Sequence, residues 1–224
     1  MGSLIKPILL HAHASGPNPI KVAITLEALH IPYTVKQWDF GDDKEKGVKG
    51  AAFLRINEIG RVPAIEDPNT GVVAWESGAC MNYIRRVYDK GNLIGPSGEL
   101  AQDLVDFEKW EYFLLSTLGP ISEQATWFKK FNPQQNDNAL ERYTAQTYCC
   151  YDVLEGQLKR TGGESVLDGR VSAVDYHFEP WLHDYLLAGV SLEKYPMIKK
   201  WLGLMQTREE VKEAYFRIRS EKSV

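Results

Sequence analysis

The sequence predicts an α/β half followed by an all-helical half. Three observations support this. Short strand-like runs alternate with helical ones up to about residue 90, and strand signals then nearly vanish. A stretch carrying Gly91, Gly95, Pro96, Ser97 and Gly98 separates the two regimes. The expected division is residues 1–90, a linker over 91–99, and a helical domain over 100–224.

Pro7 to His11 reads as a short buried strand, and Lys21 to His30 as a helix with Val22, Ala23, Leu26 and Leu29 on one face. Ile31-Pro32 turns the chain into a second strand, Tyr33 to Trp38. Gly41 to Gly50 is charged and reads as an exposed loop, and Ala51 to Ile56 as a short helix. Val62–Asp67 and Val72–Trp75 flank the turn formers Pro68-Asn69-Thr70-Gly71 and read as a hairpin. Ser77 to Val87 is helical, with Ser77 as candidate N-cap and Cys80, Met81, Ile84 and Val87 as its apolar stripe. The order βαβ then αββα needs one parallel crossover and one antiparallel hairpin, hence a mixed four-stranded sheet covered by helices. Beyond the linker, Leu100–Ala125, Asn138–Arg160, Ser172–Leu187, Tyr195–Gln206 and Glu209–Ile218 all carry helical periodicity.

Composition narrows the function. With 26 Lys plus Arg against 30 Asp plus Glu, the net charge of −4 argues against a nucleic-acid binder, which needs a concentrated basic face. No apolar run approaches the roughly 20 residues that span a bilayer, and Met1 to Leu10 lacks a leader's long apolar core. Three cysteines, Cys80 and the adjacent Cys149 and Cys150, make a poor disulfide framework and fit a reducing, cytoplasmic setting. Cys149 and Cys150 read as helix packing residues. No metal is expected, because His11 and His13 lack a third ligand nearby and His177 and His183 are six residues apart.

Four motifs bear on chemistry. In the turn Ala14 to Val22, Asn18 before Pro19 reads as an N-cap followed by proline at the first helical position. A helix N-terminus favours an anion such as a thiolate, and Ser15 and Asn18 add donors. Gly60-Arg61-Val62-Pro63-Ala64-Ile65 places a proline at a strand opening. Trp75-Glu76-Ser77-Gly78-Ala79 sets an acid and a hydroxyl at a helix start, matching the two charges of an α-amino-acid end. Ser172-Ala173-Val174-Asp175 is a capping box and reads as structural. The aromatic group Trp110, Tyr112, Phe113, Trp127, Phe128 and Phe131 reads mostly as core.

Taken in order, these stretches resemble the cytosolic glutathione transferase superfamily over nearly the whole length. The resemblance is closest to the fungal class related to the yeast nitrogen-catabolite regulator with a prion domain and to the transferases of epipolythiodioxopiperazine toxin pathways. Ser15–Val22, Gly60–Gly71, Trp75–Ala79 and Ala139–Thr144 carry it. It implies a thioredoxin-like first half and the transferase fold as a whole. It further implies glutathione as cosubstrate, no metal, and a homodimer. Within that resemblance, Ser15 and Asn18 neighbour the glutathione thiol as the catalytic residues. Val62 pairs with the cysteinyl backbone beside a cis Pro63, and Glu76 and Ser77 hold the γ-glutamyl end. Lys46 or Lys49 meets the glycine carboxylate. The pocket for an apolar, electrophilic small molecule is lined by His13, Tyr112, Ser116, Pro120 and Gln124.

Leu114 and Thr117 replace residues common in the class where it shapes its acceptor pocket, which points to a dedicated acceptor from fungal secondary metabolism. The implied chemistry is a thiolate attacking an electrophilic carbon. A free thiol has a pKa near 8.5, so lowering it by two units requires about 2.7 kcal/mol of differential stabilisation. Glutathione-assisted isomerisation or elimination, and a non-catalytic binding module, are the alternatives.

Overall fold

The computed structural model describes residues 4–220. Residues 1–3, which open the stretch weighed as a leader, and residues 221–224 lie outside the described residues. The chain divides into two compact units, one formed by residues up to Leu93 together with those from Arg208 onward, the other by Ile94–Thr207.

The first unit is built on a four-stranded sheet in the order β2-β1-β3-β4. Its elements are β1 (Ile8–Ala12), α1 (Pro17–Ala28), β2 (Tyr33–Gln37), α2 (Ala51–Leu54), β3 (Ala64–Asp67), β4 (Val72–Trp75) and α3 (Ser77–Tyr88). The crossover through α1 makes β1 and β2 parallel, with Ile8 opposite Tyr33 and Leu10 opposite Val35. β3 runs antiparallel to β1, with Leu10 opposite Ile65, and β4 returns antiparallel with Ala64 opposite Trp75. The second strand ends at Gln37, and β3 begins at Ala64 rather than Val62, just after the cis Val62–Pro63 peptide bond.

Two expectations change. The first helix is buried on all sides from Pro19 to Leu26, including Lys21 and Thr25, instead of along one stripe. The reason is that α9 (Glu209–Ser220) packs along α1, while α3 covers a further face. Sequence periodicity groups residues 209–218 with the other C-terminal helices, but they fold with the sheet-bearing unit. Arg217 fastens this helix by pairing with Glu27 at 3.2 Å, donating to the Tyr33 carbonyl and lying over the Tyr33 ring at 3.8 Å. The second change concerns Gly41–Gly50, which is exposed only in part. Gly47, Val48 and Gly50 are buried, and Val48 joins Trp38, Phe53 and Ala64 in a small core.

The second unit is helical. Ala101 to Phe131 forms one continuous run: α4 (Ala101–Phe113), a π-helical turn (Leu114–Leu118), α5 (Gly119–Thr126) and a second π turn (Trp127–Phe131). It is followed by α6 (Asp137–Arg160), α7 (Ala173–His183), a 3-10 turn (Tyr185–Ala188) and α8 (Pro196–Thr207). Phe107, Leu114, Leu118, Leu154, Phe178, Ile198 and Trp201 fill the core.

The capping box forms as the sequence predicts. Ser172 accepts from the Val174 N–H at 3.3 Å, and Asp175 Oδ2 accepts from the Ser172 N–H at 2.8 Å. Asp175 Oδ1 also accepts from the Val166 N–H at 2.8 Å and from Trp201 Nε1 at 2.9 Å. Of the aromatic group read as core, only Trp110 is buried. Tyr112, Trp127 and Phe131 are exposed, because they fall on the outer side of the run that turns Phe107, Leu114 and Leu118 inward. Cys149 is likewise exposed, and only its neighbour Cys150 packs inside.

Candidate functional site

Three segments of the first unit assemble the candidate site. The first is the β1–α1 turn. Helix α1 starts at Pro17 with Gly16 as its N-cap, so Asn18 is its second residue and does not cap it. Prolines at 17 and 19 leave the chain with fewer amides to cap, and a helix opening at Pro17 uses the fixed φ of proline in its first turn. Freed from capping, the Asn18 Oδ1 accepts the Ser77 hydroxyl at 3.3 Å. Its Nδ2, with two donors, has no protein partner among the described residues.

The second segment is the start of α3. Glu76 is its N-cap and Ser77 its first residue, so the cap lies one position earlier than the sequence reading placed it. Glu76 has φ +67° and ψ 119°, a left-handed conformation that costs a non-glycine residue about 1–3 kcal/mol. Its side chain is exposed, whereas Ser77 is buried. The Ser77–Asn18 bond brings the N-terminal turns of α1 and α3, each carrying a partial positive charge, close together.

The third segment leads into β3. The Val62 side chain packs against the small core around Trp38 and Phe53. Neither the Val62 N–H nor its C=O meets a partner among the described residues, leaving a donor and acceptor free for an extended ligand. Asn57 builds this loop. It is buried, its Nδ2 donates to the Arg61 carbonyl at 2.6 Å, and its Oδ1 accepts from the Ile59 N–H at 3.0 Å. Sequence reading missed its role. The available signal was an Asx turn, in which an Asn side chain bonds its own backbone two residues on.

The lysines separate in the structure. Lys49 Nζ donates to the Ile59 carbonyl at 2.6 Å, which anchors it to the loop just before Val62. Its stem crosses Gly60, where φ is +63° and a Cβ would stand 2.8 Å from Lys49 Cδ and 2.6 Å from the Val48 carbonyl oxygen. Only glycine serves there. Lys46 is exposed and lies beside Asp43, whose carboxyl is held low by the Lys46 and Glu45 backbone amides.

Ser15 and His13 form a local pair. The Ser15 N–H and Oγ lie 3.1 Å and 2.9 Å from His13 Nδ1. The His13 ring stacks on Phe40 with centroids 3.8 Å apart. Burial lowers the His13 pKa, with Asp39 pulling the other way.

In the second unit, Tyr112, Ser116, Pro120 and Gln124 are all exposed and recur every four residues along the run from α4 to α5. They make one outward stripe, with Ser116 Oγ donating to the Tyr112 carbonyl at 2.7 Å. Leu114, expected at the acceptor pocket, is fully buried instead, because its place on the helix faces the core of its own unit.

Comparison with known proteins places this geometry. The family model of the glutathione S-transferase N-terminal domain matches residues 7–86, which contain all three segments. The glutathione S-transferase-like protein tpcF of Aspergillus fumigatus is 35% identical over 219 residues, covering 92% of this chain and 94% of its own. The chain belongs to the glutathione S-transferase family. Its thioredoxin-like sheet unit and helical region share the fold of solved family members. The glutathione transferase URE2P6 of Phanerochaete chrysosporium, solved in complex with oxidised glutathione, superposes with a TM-score of 0.87 at 29% identity, covering 96% of this chain and 97% of that one. The nitrogen regulation fragment of the yeast prion protein Ure2p superposes with a TM-score of 0.85 at 26% identity, covering 96% and 98%.

Other features of this transferase-family chain bear on reactivity. Cys80 is buried and its thiol is pushed up to about 12, and Cys150 to about 11, both mainly by burial. Among the described residues no group of three or more His, Cys, Asp or Glu side chains could hold a metal ion. No described helix is long and apolar enough to cross a membrane.

Proposed function

We propose that the chain is a glutathione S-transferase that binds glutathione in its first unit and stabilises the thiolate for attack on an apolar, electrophilic small molecule. The observation that carries this reading is the Asn18 amide. Ser77 holds its oxygen, so its unpaired Nδ2 donors are available to sulfur at the N-terminal turn of α1. A hydrogen bond to a charged acceptor is worth about 1.5–3 kcal/mol, and a helix N-terminus adds up to about 1, together near the 2.7 kcal/mol that two pKa units require.

The remaining contacts follow from what is free at the site. The unpaired Val62 N–H and C=O, next to Pro63, take the cysteinyl backbone. Glu76 receives the γ-glutamyl ammonium, and Ser77 with the α3 N-terminus its carboxylate. For the glycine carboxylate we favour Lys49 over Lys46, because its ammonium is already fixed beside Ile59 and keeps two donors. No cysteine lies in the Ser15–Asn18 turn and neither buried one ionises near neutral pH, so the reactive sulfur comes with the cosubstrate. The exposed stripe of Tyr112, Ser116, Pro120 and Gln124 is assigned to the acceptor. The resemblance to fungal toxin-pathway transferases favours an acceptor from secondary metabolism, and we assign a homodimer in the cytoplasm.

A second reading, a regulatory module that binds glutathione without turnover, is favoured by the likeness to the Ure2p nitrogen regulation fragment. Ultraviolet titration of bound glutathione separates the two. The transferase reading expects the bound thiol to ionise at least about one unit below the free value near 8.5. An unshifted thiol supports the module, and no calorimetric binding of glutathione refutes both.

A further inference from the structure

We propose that His13 and Ser15 form a proton relay, in which Ser15 Oγ accepts the proton of the substrate thiol while its own proton passes to His13 Nδ1. This rests on the reading of the site as a glutathione thiol site and extends it to a group outside the thiol's own contacts.

The argument begins with a donor whose direction is fixed. The Ser15 backbone N–H can only donate, and it lies 3.1 Å from His13 Nδ1. Nδ1 therefore carries the lone pair, and the neutral ring holds its proton on Nε2. The Ser15 hydroxyl, 2.9 Å from the same nitrogen, must then donate to it as well. Ser15 is exposed, and what it turns outward is oxygen lone pairs. Sequence reading gives Ser15 the role of donor to a thiolate. Before the proton moves it is the reverse, an acceptor matched to an S–H.

The surroundings suit a proton acceptor. The ring is held in place by its stack on Phe40. Partial burial disfavours the charged ring in the resting state, which keeps His13 neutral at pH 7, and Asp39 is the facing carboxylate that eases protonation. The Phe40 face offers the imidazolium a cation–π partner. The step balances without any redox change. The S–H bond breaks and its proton forms a new bond to Ser15 Oγ. The original Oγ–H bond breaks and an Nδ1–H bond forms. The products are a thiolate that accepts a hydrogen bond from Ser15 and an imidazolium at His13. Thiolate–imidazolium pairs are an established way of depressing a thiol pKa. His13, which acts through Ser15, is thus a positioning residue for the proton and not only a wall of the acceptor pocket.

The test uses the full chain. In the free protein, nitrogen NMR of the His13 ring should show Nδ1 unprotonated and Nε2 protonated at pH 7.5; the opposite tautomer overturns the proposal. With glutathione bound, ultraviolet titration should place the thiol pKa higher in His13→Gln and in Ser15→Ala than in the parent, by about one unit each, or tenfold in thiolate fraction at neutral pH. The double variant should go no higher than either single one. Glutathione affinity by calorimetry at about pH 5.5, where the thiol is protonated both free and bound, should stay within about twofold in all three, since neither side chain holds the peptide ends. If the parent binds glutathione with a depressed thiol pKa and His13→Gln titrates identically, the relay is wrong and the transferase reading survives. If only one of the two variants shifts the thiol, the coupling through Ser15 is wrong. If the parent does not bind glutathione, the reading and the relay fall together.

Discussion

Replacing Asp175 by alanine tests the account of the helical unit most directly. Its carboxylate is fully buried and accepts from the Ser172 N–H, the Val166 N–H and Trp201 Nε1, all at 2.8–2.9 Å. Burial works to raise its pKa, and these hydrogen bonds oppose that. Asp175→Ala leaves these three buried N–H donors without an acceptor, each costing about 1–3 kcal/mol, and also frees the Ser172 hydroxyl that donates to Oδ2 at 3.3 Å. Part of this is returned because a buried charge, itself costly by several kcal/mol, is no longer desolvated. The net expectation is a loss of about 3–5 kcal/mol, the orphaned donors outweighing the desolvation that is returned. Ser172→Ala removes only the reciprocal cap and should cost about 1 kcal/mol. Asp175→Asn keeps an accepting oxygen and should fall between them. Urea unfolding followed by near-ultraviolet circular dichroism measures all three, because Trp201 belongs to the network. A loss below about 1 kcal/mol for Asp175→Ala, or equal losses for Ala and Asn, would refute the claim that orphaned donors set the cost.

Two further perturbations address the sheet unit. Asn57→Ala removes both hydrogen bonds that shape the loop before Val62, and glutathione affinity should fall about tenfold while the bound thiol pKa stays put. Calorimetry paired with thiol titration checks this, and an unchanged affinity counts against the positioning role. His11 gives a pH dependence. Trp38 Nε1 donates to its Nδ1 at 2.9 Å, so its Nε2–H donates to Glu66 at 2.8 Å and the neutral ring is satisfied at both ends. Burial lowers its pKa below 6.5, outweighing the Glu66 hydrogen bond and charge that raise it. A histidine depressed in the folded state contributes stability that is present above about pH 6.5 and is lost as pH falls through the folded value. Urea midpoints measured downward from pH 7 should drop more steeply for the parent than for His11→Phe.

Periodicity and turn chemistry made much of this architecture readable in advance. The strand pairing followed from one crossover and one hairpin, and the capping box was visible as Ser172 and Asp175 three residues apart. Contacts that bridge distant segments were not readable. Nothing local to Asn18 shows that its oxygen is claimed by Ser77, and Asn followed by Pro imitates a cap so well that the sequence places the helix start two positions late. The burial of Lys21 and Thr25 is equally silent in their own helix, because it depends on α9 arriving from the far end of the chain. His13 and Ser15 sit two apart, a spacing with no place in helix periodicity, so their hydrogen bond appears only once the turn is built.

The placement of α9 also sets an order of events. The partner that covers α1 is encoded beyond residue 207, after the whole of the helical unit. A chain emerging from the ribosome therefore displays the sheet and its first helix for the entire time the helical unit is being made. That helix lacks the side of its packing secured by Arg217, Glu27 and Tyr33 until the last segment is released. The sheet unit thus begins before the helical unit and is completed after it. A break in the chain near Arg208 would undo a unit whose strands lie more than a hundred residues upstream.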